Sequence, residues 1–427
     1  MNVSDTAVTV LDLARAGRFA EIRELFAPQL RAMVPAGALE AAWAAEVARR
    51  GQVTAVGVPV TGPARAGSVD VKIPVTFEHG ELTVAMSFTG TGWLTSIQLL
   101  PADAAQPAPP WQPPSYADPD KFGDQDVTLG TGPAEVPGTL SLPREPGPGP
   151  AVVLLAGSGP QDRDETIGQN KPFKDLAWGL ASRGVIVLRF DKVTYAHARQ
   201  LAHASDFTLS DEYLPQAVAA IELLRHHSAV DHGRVFVAGH SLGGTVAPRV
   251  AAAEPTVSGL IILAGGTQPL HWAAVRQFRY LASLDPATAG AAQPAIDAVT
   301  RQAELIDSPS LSLATPATDL LFGVAASYWL DLRGYDPAAA AAALGKPTLI
   351  LQGGRDYQAT VTEDLAGWRA ALAGRPDVTI RVYEAGNHLF FPGTGPSAPA
   401  EYVPVQHVDQ AVVDDIASWL TAGVLAS

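Results

Sequence analysis

The chain has 427 residues, of which 47% are hydrophobic and 17% are charged, so it can fill a sizeable core and does not have the composition of a disordered protein. Its formal net charge of −14 opposes binding to nucleic acid or to an anionic membrane surface. The lack of cysteine in the sequence excludes disulfides, thiolate metal sites and a cysteine nucleophile. A chain of this length favours two domains.

The first hundred residues change pattern halfway. Residues 4–50 have the apolar spacing of amphipathic helices, whereas residues 53–99 show the two-residue period of strands, with a hairpin turn at His79-Gly80. Helices followed by an antiparallel sheet predict a small α+β domain over residues 1–100, without a catalytic constellation of its own. Residues 101–118 are rich in proline and alanine, which predicts a linker.

The N-terminal segment does not resemble a targeting signal. Residues 1–19 carry charged side chains among the apolar ones and lack a basic stretch followed by an apolar core. No apolar run approaches the length of a membrane span. We therefore expect a soluble, cytoplasmic protein without membrane partners, or a secreted one if a leader has been removed.

Residues 119–427 predict a second, larger domain. A hairpin is expected over residues 127–142. Short apolar runs then alternate with helical segments, which indicates βαβ units and a parallel sheet covered on both faces. These runs are 151–155, 185–190, 235–238, 260–264, 348–351 and 378–383. The alternation stops over about 267–340, where an alanine-rich helical insertion predicts a cap at the carboxyl ends of the strands.

A nucleophile elbow is predicted where a strand meets a helix. The sequence Gly239-His240-Ser241-Leu242-Gly243 follows an apolar run and precedes a helical segment, which is the context that a G-x-S-x-G elbow requires. The turn is so sharp that side chains two positions before and after the serine would clash. Ser241 is therefore the predicted nucleophile, and the backbone N–H of Leu242 is a predicted oxyanion donor.

A serine nucleophile needs a base that a third group holds in place. In this fold the chain order is serine, acid, histidine. His388 follows the run 378–383 in a loop and is the predicted general base, whereas His271 falls in the predicted cap and His407 in a polar stretch before the last helix. Asp356, just after the run 348–351, is the predicted orienting acid. Glu384 is the alternative acid.

The second oxyanion donor is expected in the glycine-containing loop after the run 151–155. The N–H of Ser158 is the first choice and that of Gly159 the second. Asp162 stands where a dinucleotide-binding motif would need its third glycine, and the sequence contains no phosphate-binding loop, so we predict neither a cofactor nor a metal. The charged residues at 162–165 and at 189–192 either brace this loop through ion pairs or form a solvated surface.

With these residues in view, the chain resembles bacterial α/β-hydrolase esterases related to the serine aminopeptidase-like and dienelactone hydrolase-like families. The likeness rests on GSGPQDRDETIGQNKPFKDLA, VLRFDK, GHSLGG, YWLDLRGYDP, LQGGRDYQ and GNHLF. Residues 1–100 resemble the DUF3887-type domain, which implies an NTF2-like α+β shape. The resemblance implies carboxylic ester hydrolysis through Ser241, Asp356 and His388. Val193, where the family would have a basic residue, departs from the pattern.

The sequence therefore predicts an α/β-hydrolase fold and a serine esterase that acts on small-molecule esters through an acyl-enzyme. Transfer of the acyl group to an alcohol or amine, cyclisation of a biosynthetic intermediate and peptide cleavage use the same triad and stay open, as does a homodimer. A binding protein that kept the fold and lost the chemistry is a further alternative, which the complete candidate triad disfavours.

Overall fold

The computed structural model describes residues 3–27, 30–31, 37–62, 68–89, 92–102, 111–145, 147–201, 204–285 and 289–421. The chain divides into two compact units. The first unit comprises Met1–Pro109 and Asp285–Ala326, and the second comprises Pro110–Leu284 and Ser327–Ser427. The insertion predicted as a cap, residues 267–340, is thus divided, because its middle part groups with the N-terminal residues.

Helices and strands are numbered in chain order. The described helices are α1 Val3–Arg15, α2 Phe19–Glu24, α3 Ala38–Arg50, α4 Pro172–Ala181, α5 Val193–Ala196, α6 Ala198–Leu201, α7 Leu209–His226, α8 Leu242–Ala253, α9 Leu270–Ser283, α10 Ala289–Asp307, α11 Ala326–Arg333, α12 Pro337–Leu344, α13 Ala366–Ala371 and α14 Gln410–Thr421. The strands are β1 Val53–Val56, β2 Val60–Thr61, β3 Ser68–Phe77, β4 Gly80–Thr89, β5 Leu94–Leu100, β6 Phe122–Leu129, β7 Val136–Pro143, β8 Gly149–Leu155, β9 Ile186–Phe190, β10 Val230–His240, β11 Gly259–Leu263, β12 Thr348–Gly353 and β13 Val378–Tyr383. Within the described ranges, no helix is both long and apolar enough to cross a membrane.

The first unit contains an antiparallel sheet in the order β1-β3-β4-β5, with β2 paired beside β3. The predicted hairpin joins β3 to β4, and Phe77 pairs with Gly80. Alternate residues of β3, such as Val71, Ile73 and Val75, are buried in one core with apolar residues of α1. One buried face produces the two-residue period that the sequence shows.

The second unit contains an eight-stranded sheet in the order β13-β12-β11-β10-β8-β9-β7-β6. Neighbouring strands are parallel from β13 to β9, and the β6–β7 hairpin adds two antiparallel strands at the edge. Helices α4 and α14 share a core with side chains from one face of the sheet, and α7 and α8 pack against β10. The predicted α/β-hydrolase fold, a mostly parallel sheet preceded by a small α+β unit, is confirmed.

The chain order of the strands reverses between β8 and β10. After β8 the chain adds β9 on one side, and after β10 it adds β11, β12 and β13 on the other side. The loops that leave β8 and β10 therefore diverge at their carboxyl ends, which opens a crevice there. The loop of Ser158 follows β8, and Ser241 follows β10. The predicted oxyanion donor and the predicted nucleophile therefore both lie at this crevice.

The described end of the predicted linker, residues 111–118, belongs to the second unit and packs within it. The indole Nε1 of Trp111 donates to Asp175 at 2.9 Å, and the hydroxyl of Tyr116 donates to the carbonyl of Val408 at 2.8 Å. The rings of Trp111 and Trp178 meet edge to face. Aromatic side chains thus fix this stretch, although its prolines keep it out of helix and sheet. Residues 103–110 lie outside the described residues.

Candidate active site

Ser241 occupies a strained turn between β10 and α8. Its backbone has φ 53° and ψ −120°, a combination that residues with side chains rarely adopt. Its N–H donates to the carbonyl of Leu263 on the neighbouring strand at 2.9 Å. A Cβ at Gly239 would fall on the carbonyl oxygen of Gly243, and a Cβ at Gly243 would fall on that of Leu155. The turn therefore has the tight geometry of a nucleophile elbow and requires glycine at both positions.

His388 and Asp356 form a buried pair. The ring Nδ1 of His388 lies 2.8 Å from Oδ2 of Asp356. Oδ1 of Asp356 accepts the backbone N–H groups of Gln358 and Ala359, and Oδ2 also accepts Nε2 of Gln352. These four hydrogen bonds fix the carboxylate, which in turn orients the imidazole and leaves its Nε2 for proton transfer.

The alternative residues that the sequence offered lie elsewhere. Glu384 is exposed, and the described contacts of His388 do not include it. His407 pairs with the buried carboxylate of Asp175 at 3.1 Å, in the network that holds Trp111. His271 is buried within α9, in ring contact with Trp329. Asp356 is therefore the acid that the structure brings to His388.

Ser241 and His388 are not hydrogen-bonded to each other in the described structure. Such catalytic hydrogen bonds are often long before substrate binds and shorten in the complex. His388 is linked to the elbow through its backbone, because its carbonyl oxygen lies 2.9 Å from Nε2 of His240. The histidine loop is thus attached to the residue directly before Ser241.

Within the described part of the chain, the N–H groups of the predicted oxyanion donors have no hydrogen-bond acceptor. Leu242 is the first residue of α8, where backbone N–H groups have no partner within the helix. Among the described residues, none accepts the N–H of Leu242, Ser158 or Gly159. A Cβ added at Gly157 would lie 3.2 Å from Cβ of Ser241, so the loop backbone passes directly beside the predicted nucleophile. The close approach explains the glycine and makes this loop a suitable source of a second donor.

Glu165 and His240 connect the two loops. The sequence predicted Glu165 only as part of a charged group that braces the loop or faces solvent, and it predicted no role for His240. Oε1 of Glu165 accepts the N–H of Gly157 at 2.7 Å and lies 2.9 Å from Nδ1 of His240. Since Nε2 of His240 faces the carbonyl of His388, both ring nitrogens meet acceptors and both must donate. The position of His240 next to the nucleophile, together with the acidic residues after Ser158, was the signal available in the sequence.

The electrostatics of the Glu165–His240 pair favour the same protonation of His240 as its hydrogen-bond partners do. Burial by itself lowers the pKa of His240, but the charge and the hydrogen bond of Glu165, with the carbonyl of His388, outweigh burial and raise the pKa above its ordinary value. The raised pKa favours the imidazolium form of His240, which can donate to both acceptors. The ion pair spans from the oxyanion loop to the histidine loop behind Ser241.

The charged residues after Ser158 pair with those at the end of β9. Arg163 lies 3.0 Å from Asp191, and Asp164 pairs with both Arg189 at 3.0 Å and Lys171 at 2.7 Å. Burial raises the pKa of Asp164, but these two cations outweigh it and hold that pKa below its ordinary value. Of the two interpretations that the sequence left open, these contacts correspond to ion-pair bracing, and they do not use the departing residue Val193.

Metal binding has no candidate in the part of the chain that the structure describes. There, no three side chains of histidine, aspartate or glutamate are grouped so that they could hold an ion. The aromatic residues Tyr328 and Trp329 of α11 are buried, and the hydroxyl of Tyr328 donates to Glu212 at 2.6 Å.

Comparison with known proteins places this site in a family. The family model described as serine aminopeptidase, S33, matches residues 168–392. Esterase EstD of Thermotoga maritima is 36% identical over 344 residues, which are 81% of this chain and 77% of the relative. Cutinase 2 of Thermobifida cellulosilytica is 30% identical over 145 residues, 33% of this chain and 48% of the relative.

Solved structures resemble the chain at lower identity. An esterase of Pyrococcus furiosus has a TM-score of 0.44 at 16% identity and covers 74% of this chain and 96% of its own. A dienelactone hydrolase from Anabaena variabilis has a TM-score of 0.42 at 18% identity and covers 71% and 98%, respectively. The family match and the EstD relative decide the identity: the chain belongs to the serine aminopeptidase (S33) family of α/β-hydrolases and is, by class, a carboxylic ester hydrolase.

Proposed function

We propose that this enzyme cleaves carboxylic esters of small molecules through an acyl-enzyme on Ser241. The observation that carries the proposal is the buried His388–Asp356 pair at 2.8 Å beside a serine held at φ 53°. In this reaction Oγ of Ser241 attacks the ester carbonyl carbon while Nε2 of His388 takes the hydroxyl proton. Asp356 keeps the proton on Nδ1 and stabilises the imidazolium.

The negative charge that develops on the carbonyl oxygen is received by backbone N–H groups. Leu242 supplies one from the positive end of α8, and Ser158 supplies the other from the loop after β8. Collapse of the tetrahedral intermediate expels the alcohol, which takes its proton from His388. Water then attacks the acyl-enzyme with His388 again as base, and the acid product leaves.

A fluorophosphonate probe and p-nitrophenyl esters test this proposal together. The probe should label the native protein at Ser241, and Ser241→Ala should lose labelling. Esterase turnover should fall by about 10⁶-fold in Ser241→Ala and to a similar extent in His388→Ala, since the members of a triad act as a unit. Undiminished turnover in folded Ser241→Ala would refute the proposal.

The acceptor of the acyl group is tested by product analysis. Hydrolysis predicts that free acid remains the main product when an alcohol or amine competes with water. An ester or amide as the main product would instead assign acyl transfer, and release of amino acids from peptide amides would assign peptidase activity. A series of p-nitrophenyl esters of graded chain length then defines the acyl pocket.

We also propose that residues 1–100 form a DUF3887-type domain with an NTF2-like shape. The support is the order of elements, with α1 to α3 ahead of an antiparallel sheet whose buried face packs on α1. Expression of residues 111–427 tests whether this domain matters for catalysis. Loss of kcat on p-nitrophenyl acetate in a folded fragment would assign it a role in the reaction.

A further inference from the structure

The carbonyl of Gly157 is held by two side chains that the proposed mechanism does not use. Nζ of Lys192 donates to this oxygen at 2.8 Å, and the hydroxyl of Tyr213 donates to it at 3.1 Å and to the carbonyl of Ala156 at 2.8 Å. Nζ of Lys192 also donates to the oxygen of Tyr213 at 2.9 Å. Lys192 and Tyr213 are each 2% exposed, so a buried cation and a buried phenol meet at one loop peptide.

This contact determines the direction of the next N–H group. A trans peptide is planar, and its C=O and N–H bonds point in opposite directions. Fixing the carbonyl of Gly157 toward Lys192 and Tyr213 therefore aims the N–H of Ser158 the other way. Rotation of this one peptide by half a turn would replace the donor with a carbonyl oxygen, which would repel a developing oxyanion.

The opposite side of Gly157 is fixed as well. Its own N–H donates to Glu165, so the peptides before and after Gly157 each have a buried partner. The N–H of Ser158 is left without an acceptor among the described residues. A loop anchored in this way keeps its donor oriented before substrate arrives, so no reorganisation is needed during the reaction.

We infer that Lys192, together with Tyr213, is a positioning residue that orients the N–H of Ser158 as an oxyanion donor. This inference rests on the proposed function, because it gives these two residues a part in the same reaction.

The surroundings of Lys192 are arranged to keep this group in place. Glu212 lies 2.9 Å from Nζ, and its carboxylate also accepts the hydroxyls of Thr194 and Tyr328. Burial lowers the pKa of Lys192, and the charges of Glu212 and Glu165 oppose that effect. A buried ion pair is seldom better for stability than well-packed apolar side chains. Its contact with the oxyanion loop gives this pair a functional reason.

The test compares variants that remove the contact with one that leaves it intact. The double variant Lys192→Met/Glu212→Gln removes the ammonium without leaving a buried carboxylate unpaired, and Tyr213→Phe removes only the hydroxyl. Tyr328→Phe is the matched control, since its hydroxyl contacts Glu212 and is not a partner of the Gly157 carbonyl. Each variant is compared with the full-length wild type by kcat and KM on p-nitrophenyl acetate and by inhibition with a trifluoromethyl ketone.

We expect the double variant to lower kcat about 10- to 100-fold, somewhat less than outright removal of an oxyanion donor. KM should change by less than about 3-fold, because the ester binds before negative charge develops on its carbonyl oxygen. The trifluoromethyl ketone, whose adduct carries an oxyanion, should bind more weakly by a factor similar to the loss of kcat. Tyr213→Phe should lose about 3- to 10-fold in kcat, and Tyr328→Phe less than about 2-fold.

A folded double variant with wild-type kcat and inhibitor affinity overturns the inference, and so does a change confined to KM. If melting curves show that the double variant does not fold, Tyr213→Phe decides in its place, and wild-type values for that variant overturn the inference. None of these results affects the role of Ser241. Turnover that persists in Ser241→Ala would instead overturn the proposed function itself.

Discussion

The two loops beside Ser241 are held in different ways. The histidine loop is fixed mainly by residues of the neighbouring strand. Gln352 lies in β12 and Asp356 in the loop after it, and β12 pairs with β13, the strand that leads to His388. The oxyanion loop is fixed by buried side chains outside it: Glu165 follows shortly after the loop, and Lys192 and Tyr213 come from later elements. Glycine lets the backbone of this loop approach Ser241 closely, and buried side chains outside the loop hold that backbone in place.

The largest expected effect on the histidine side comes from Asp356→Asn. The amide keeps the shape but does not hold the proton on Nδ1 of His388, so the ring loses its correct tautomer. We expect kcat on p-nitrophenyl acetate to fall about 10³- to 10⁴-fold. The free energy of unfolding should fall by about 1–3 kcal/mol, because the amide NH2 replaces an oxygen that accepts from a buried donor. Glu384→Gln is the control and should keep kcat within about 2-fold, since Glu384 is exposed. Equal losses in the two variants would contradict the assignment of Asp356.

His240 links the two loops, so its replacement should affect both. Gln in place of His240 removes the ion pair with Glu165 and one of the two donated hydrogen bonds. We expect kcat to fall by up to about 100-fold, the effect of a small displacement in a catalytic geometry. An unchanged kcat in a folded His240→Gln protein would show that each loop holds its position independently.

The same residue predicts a dependence of stability on pH. The pKa of His240 is raised in the folded protein, so its contribution to stability is full below the unfolded value of about 6.5 and is lost as pH rises through the folded value. The wild type should therefore lose more melting temperature between pH 6 and pH 9 than His240→Gln does. The exposed His232→Gln variant should keep the wild-type dependence. Identical pH profiles in all three proteins would show that His240 is not stabilised as an imidazolium in the folded protein.

The smallest catalytic effect is expected from the ion pairs farther from Gly157. Arg163 contacts Asp191, Thr139 and the carbonyl of Gly138, but it is not a partner of the Gly157 peptide. Arg163→Met should lower the free energy of unfolding by about 1–2 kcal/mol and leave kcat within about 3-fold. Denaturant unfolding and p-nitrophenyl acetate kinetics measure the two quantities. A loss of kcat as large as that of the Lys192 double variant would show that the ion pairs of Arg163 also help to orient the oxyanion loop.

Most of the fold could be predicted from the sequence because its signals are local. The apolar runs correspond to β8–β13, and the sharp turn around Ser241 requires glycine at positions 239 and 243 for reasons that depend only on nearby backbone. The start of α7 differs: the helical spacing of residues 214–226 predicts a helix from Leu214, whereas α7 begins at Leu209 with a capping box of Thr208 and Asp211. Pro215 lies near the beginning of the predicted helix. Because proline is most often found in the first turn of a helix, Pro215 suggests a helix that begins near it and hides the earlier start at Leu209.

By itself, the sequence determined the elbow, the order of nucleophile, acid and histidine, and the loop that would supply the second oxyanion donor. Each of these follows from short motifs at strand ends. Only the tertiary structure decided that Asp356 rather than Glu384 meets His388, that His240 bridges both loops, and that Lys192 and Tyr213 hold the Gly157 peptide. The physical reason is distance along the chain: buried charges acquire their partners from elements that sequence separates by tens of residues and that packing brings together.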